Sequence, residues 1–316
     1  MTLRRCVQMV GVGMGVICAI LTVLSADVRA EKLQVVASIF PIADMAKQVG
    51  GPFVDVTALV PPGASPHTFE IKPGLVKAFS NAKVFFMIGA GLEFWADQLI
   101  HASGQHLTTV VLSDGMQLMR SVDPDADEHS KPPAGGAAST GAHSDLAANP
   151  HIWLDPERAE VMARRMCQAF STADPAHTAD YEKQTQAYLS QLSALDTHIK
   201  EVVSRFKIKD FISFHPSWDY FAARYGLKSA GVIEKTPGRN PTPREIADIV
   251  AIIKAHNIRA VFAEPQLNPR VAEVIARESG VKVLILDPLG EPTISGRDSY
   301  IALMRYNLRH MKEAME

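Results

Sequence analysis

The sequence predicts an α/β protein of two lobes, each with a mainly parallel sheet flanked by helices, joined by one long rigid helix. Three observations carry this. Short β-branched runs alternate with helix-period segments before residue 120 and again after residue 207. Single strands separated by segments of helical length imply parallel pairing with crossover helices. Between the two halves, Tyr181, Tyr188, Leu192, Leu195, Ile199, Val202 and Phe206 recur at steps near three and four, with no Pro or Gly from 177 to 206. That is one apolar stripe on an unbroken helix, spanning roughly 45 Å at about 1.5 Å per residue.

The elements follow in order. Arg4 and Arg5 precede an apolar stretch from Cys6 to Leu24, and Val28-Arg29-Ala30 offers small residues at −3 and −1. Residues 1–30 therefore read as a cleaved secretory signal peptide, with an uncleaved anchor as the alternative. The first lobe, 31–176, carries strands at Leu33–Ile39, Val54–Val60, Val84–Ile88 and Thr108–Leu112. Helices are expected at Pro41–Val49, Gly74–Ala82, Glu93–Ser103 and Asp155–Ala173. From 120 to 149 the composition turns to Asp, Glu, Pro, Gly, Ala and Ser with His129 and His143, which predicts a mobile surface loop. After the linking helix 177–206, the second lobe, 207–316, carries strands at Phe211–Phe214, Ser229–Ile233, Ala260–Ala263 and Val281–Leu286. Its helices are expected at Trp218–Tyr225, Pro243–Asn257, Pro269–Ser279 and Asp298–Met315.

Composition excludes some functions. With 32 basic and 34 acidic residues there is no basic footprint for nucleic acid. Of three cysteines, two lie in the signal, so the exported chain would keep Cys167 alone, with no internal disulfide and no thiolate cluster.

Four positions stand out because each follows a strand or opens a helix after a Pro-marked turn. They are His67 in Pro66-His67-Thr68-Phe69-Glu70, His151 in Asn149-Pro150-His151-Ile152-Trp153-Leu154-Asp155-Pro156, His215 in Ser213-Phe214-His215-Pro216, and Asp287 in Leu286-Asp287-Pro288. Ligands of open parallel sheets bind outside the carboxyl ends of strands. Three imidazoles and a carboxylate suit zinc. Spacing alone leaves each histidine open to a surface or core role, and Asp287-Pro288 to a simple turn.

These segments, with Ala263-Glu264-Pro265-Gln266 and Leu286-Asp287-Pro288-Leu289-Gly290, resemble the metal-specific solute-binding proteins of ABC importers. That cluster (A-I) includes ZnuA-like zinc binders and manganese-binding lipoproteins once called adhesins. The resemblance covers essentially the whole exported chain. It implies metal ligands at His67, His151, His215 and Asp287, zinc as the captured ion with manganese as the alternative, and a permease subunit as the partner of a monomer. Manganese-preferring relatives usually carry glutamate where His215 stands, and an imidazole there favours zinc. Glu264 and, less so, Glu70 are candidate acceptors for an imidazole N–H. His129 and His143 are candidates for a metal-collecting loop, against a solvated linker. The loop is poorer in histidine than in many ZnuA-like proteins, and the paired C-terminal cysteines of some relatives are missing.

A zinc hydrolase is the rival of another class, and a surface adhesin a lower-ranked one. Hydrolysis would need an open coordination position and a general base. No His-Glu-x-x-His or Gly-x-Ser-x-Gly segment is present, so no enzyme activity is expected. Protons are expected to compete with zinc in the ordinary imidazole range, near about pH 6–7.

Overall fold

The computed structural model describes residues 31–71, 73–103, 107–120 and 148–316. Residues 1–30, expected to be a signal peptide, and His129 and His143 lie outside these. The described residues form two four-stranded sheets, and all strand pairs in both are parallel. The first comprises β1 (Leu33–Ala37), β2 (Val54–Ala58), β3 (Val84–Met87) and β4 (Thr108–Val111), in the order β2-β1-β3-β4. The second comprises β5 (Asp210–Ser213), β6 (Lys228–Val232), β7 (Ala260–Ala263) and β8 (Lys282–Ile285), in the order β6-β5-β7-β8. The second sheet thus repeats the connectivity of the first. In each, the winding direction reverses beside the first strand, between β1 and β3 and between β5 and β7. A crevice opens outside the carboxyl ends of strands at such a reversal.

The strands are short, and the inner strands β3 and β7 are wholly apolar, as strands covered on both faces require. Val84, Phe85 and Phe86 of β3 and Val261 and Ala263 of β7 are fully buried. Helices α1 (Phe40–Gly50), α2 (Pro73–Asn81) and α3 (Ala96–Ser103) belong to the first half. They are followed by α4 (Pro156–Ala173) and the long α5 (Thr178–Ser204, 27 residues). The second half adds α6 (Asp219–Tyr225), α7 (Pro243–Ala255), α8 (Arg270–Ser279) and α9 (Tyr300–Met315).

The long helix buries Tyr181, Thr185, Tyr188, Leu192, Leu195, Ile199 and Val203 along one stripe and packs against α1, α4 and α9. It therefore touches helices from both halves. One hydrophobic cluster runs from Val35 through Leu192 and Phe262 to Met315, and a smaller one sits around Ile212, Ile249 and Ile275. Residues 32–316 form one compact unit. Cys167, free and half-buried, packs at the edge of the larger cluster. No helix among the described residues is long and apolar enough to cross a membrane.

Helix ends are set by side chains that satisfy free backbone N–H groups. The Asp155 carboxylate accepts from Glu157 N–H at the start of α4, and the Ser299 hydroxyl accepts from Ala302 N–H at the start of α9. Thr242 and Glu245 form a reciprocal capping box on α7. The expected helix from Glu93 begins only at Ala96. Gly89, Ala90 and Gly91 all take positive φ (80°, 54° and 80°), which turns the chain sharply before the helix can start. The Glu93 carboxylate holds this turn, accepting from the N–H groups of Ile88 and Gly89, each at 2.9 Å.

Candidate metal centre

His67 sits on a 3₁₀ turn, Pro66–Thr68, reached from β2 through Pro61-Pro62-Gly63. His151 precedes a second 3₁₀ turn, Ile152–Leu154, which leads into α4. His215 lies two residues past β5, beside the reversal point of the second sheet. The three rings converge through their Nε2 atoms. His151 Nε2 is 3.1 Å from His67 Nε2 and 3.0 Å from His215 Nε2. Four nitrogens around a tetrahedral zinc at about 2.05 Å would be separated by about 3.3 Å, so the rings stand close to the spacing of a shared cation.

Hydrogen bonds behind the rings fix which nitrogen faces the centre. Asn149 Nδ2 donates to Pro216 C=O at 2.7 Å and to Asp219 Oδ2 at 3.0 Å. Its Oδ1 therefore faces His151 and accepts from the backbone N–H at 3.0 Å and from Nδ1 at 2.8 Å. An amide oxygen only accepts, so Nδ1 carries the proton and Nε2 presents its lone pair. His215 Nδ1 is 2.7 Å from Glu264 Oε1, and Glu264, at the carboxyl end of β7, is 2% exposed. The carboxylate imposes the same tautomer on His215 and orients the ring. Glu264→Gln should lower metal affinity by about 10–100-fold. Titration against a chelating dye checks this, and wild-type affinity would remove Glu264 from that role.

Trp153, Leu267, Pro288 and Leu289 line the rings on one side, beside a void of about 10 Å³. That is about the room one water-sized sphere needs. On another side the rings open to a space of about 170 Å³ bordered by Ala90, Pro216 and Lys235. A larger cavity, about 660 Å³ along β6, does not include the three imidazoles among its lining residues.

A family model described as ZnuA, zinc-uptake complex component A, periplasmic, matches residues 35–314. The chain belongs to the ZnuA family. It is 28% identical over 295 residues to the high-affinity zinc uptake system protein ZnuA of Bacillus subtilis, across 92% of this chain and 90% of that one. It is 26% identical over 307 residues to the zinc-binding lipoprotein AdcA of Streptococcus pneumoniae, covering 95% of this chain but spanning only 60% of that relative's length. Among solved structures, a crystal structure of ZnuA matches with a TM-score of 0.78 at 27% identity, covering 90% of this chain and 100% of that one.

Within this ZnuA fold, the residues singled out by the sequence divide. Among the described residues, His67, His151 and His215 form the one metal-competent group of His, Cys, Asp or Glu. Asp287, expected as a fourth ligand, is not part of it. Its side chain is turned to its own loop, to Gln266 and to Arg297. Oδ1 accepts from Leu289 N–H at 3.0 Å, Gly290 N–H at 2.9 Å and Gln266 Nε2 at 2.9 Å, and Oδ2 pairs with Arg297 Nη1 at 2.7 Å. Glu70 is solvent-exposed. Asn149 was missed, although an Asn two residues before a histidine is a recognisable way to bond that residue's own N–H.

Burial changes the acid–base expectation. It pushes His67 down to about 3, and the neighbouring His215 adds to the effect. Burial, then His215 and His67, push His151 well below the usual imidazole range. In the folded protein these two rings stay neutral and free for metal well below pH 6, so proton competition at them starts later than sequence suggests. Unfolded histidines still protonate near 6.5. The unfolded chain therefore gains protons that the fold refuses as pH falls from about 6.5 towards 3. Metal-free protein should be most stable above this window and lose stability progressively within it. Urea denaturation at several pH values reads this directly, and a flat profile would contradict the buried, neutral site.

Proposed function

We propose that the chain captures zinc outside the cytoplasm and delivers it to the membrane permease of an ABC importer. The convergence of three Nε2 atoms at 3.0–3.1 Å carries this reading, and the zinc-binding relatives support it. An all-imidazole set favours zinc over manganese, which prefers oxygen-rich sites. Residues 1–30 would direct export and be removed.

Three imidazoles leave one position of a tetrahedron open, so a closed set of four side chains no longer separates carrier from hydrolase. A general base does. The carboxylate in contact with a ring, Glu264, is committed to His215 Nδ1. The test is metal analysis of protein purified without added zinc, followed by competition between zinc and manganese. One tightly held zinc per chain that excess manganese fails to displace is expected. Manganese bound as well as zinc would reject the preference.

A further inference from the structure

Gln266 follows β7 in the segment Glu264-Pro265-Gln266 and lines the 10 Å³ void together with the three imidazoles. Its Nε2 donates to Asp287 Oδ1 at 2.9 Å, while its Oε1 is buried and has no hydrogen-bond partner among the described residues. The amide cannot be reversed. A carboxylate only accepts, so the NH₂ side must face Asp287 and the oxygen must face away from it. Asp287 itself is held by Arg297, by two backbone N–H groups, and through its own backbone by Asn307, which accepts from Asp287 N–H and donates to Asp287 C=O, both at 2.7 Å. An orphaned buried acceptor costs about 1–3 kcal/mol, and this one lies beside the candidate metal site, where a group that arrives with the metal could satisfy it.

We propose that Gln266 Oε1 serves the fourth coordination position, accepting a hydrogen bond from a water that completes the coordination of zinc on His67, His151 and His215. Asp287 and Arg297 then act as positioning residues that fix the amide. An amide oxygen is not among the usual zinc ligands, whereas water commonly fills the fourth site. An amide oxygen also accepts a hydrogen bond without taking the proton, so it holds that water without activating it as a carboxylate would. This inference rests on the zinc reading above and extends it to the side of the site that the histidines leave open.

The experiment compares zinc affinity, the visible spectrum of the cobalt(II)-loaded protein and the melting temperature of the metal-free protein in wild type, Gln266→Leu, Asp287→Asn and the double variant. Gln266→Leu should lose about 10–100-fold in zinc affinity and alter the cobalt bands, with the metal-free melting temperature held. Asp287→Asn should weaken zinc no more than Gln266→Leu, and the double variant should add nothing further. Gln266→Leu with wild-type affinity and an unchanged cobalt spectrum overturns the proposal. A much larger loss in Asp287→Asn, with the fold intact, also overturns it, because the carboxylate would then be a ligand. A wild-type protein that binds neither zinc nor cobalt overturns the zinc reading itself.

Discussion

His151→Ala should reduce zinc affinity by about 10²–10³-fold and leave the fold intact. Structural zinc sites bind with an apparent 10–16 kcal/mol, so each of four coordination positions is worth about 2.5–4 kcal/mol. His151 is the central ring, with both neighbouring Nε2 atoms within 3.1 Å. Its removal strands no charge, because Asn149 Oδ1 keeps the backbone N–H of residue 151. His215→Ala should lose similar affinity but also destabilise the protein. It leaves Glu264, 2% exposed, without the ring that pairs it, its other contacts being at 3.4 Å. Calorimetric titration together with denaturant melts separates the two effects. An alanine at 151 that binds zinc as tightly as wild type would dismantle the three-imidazole site.

Trp153→Ala should cost about 3–5 kcal/mol of stability. The side chain is fully buried and its Nε1–H donates to Pro288 C=O at 2.7 Å. Its own backbone carbonyl accepts from Tyr300 Oη–H, also at 2.7 Å. Residue 153 thus ties the turn carrying His151 to two segments of the second half, the loop after β8 and the start of α9. Deleting the indole opens a cavity and leaves the Pro288 carbonyl unpaired. The urea midpoint should fall with its slope unchanged. A loss under about 1 kcal/mol, within the range of surface substitutions and mild core changes, would show that the indole is not structural.

Much of this was legible in the sequence because two periodicities differ. β-branched runs marked the strands, and the three-and-four spacing of Tyr181, Tyr188, Leu192 and Leu195 marked the long helix. The three histidines were legible because each stands at a Pro-marked turn beside a strand or helix end. Asp287 illustrates the limit. A strand-terminal Asp-Pro reads the same whether the carboxylate points into a cleft or folds back to cap its own loop. What decides is Arg297, ten residues on, and Gln266, twenty-one residues back, which meet the carboxylate only once the chain has folded. Gln266 was visible as a motif letter, but its role depends on which way an amide is turned, and that is set by the same carboxylate. The late start of α3 depended on Ala90 adopting a left-handed conformation, which an alanine does not advertise.

The repeated connectivity of the two sheets has a consequence for how such a protein changes over time. Most of the buried surface belongs to strands and helices, while the three candidate ligands sit on turns at their tips. Lineages can exchange one metal preference for another by editing those turns, and the scaffold beneath remains the same inherited object.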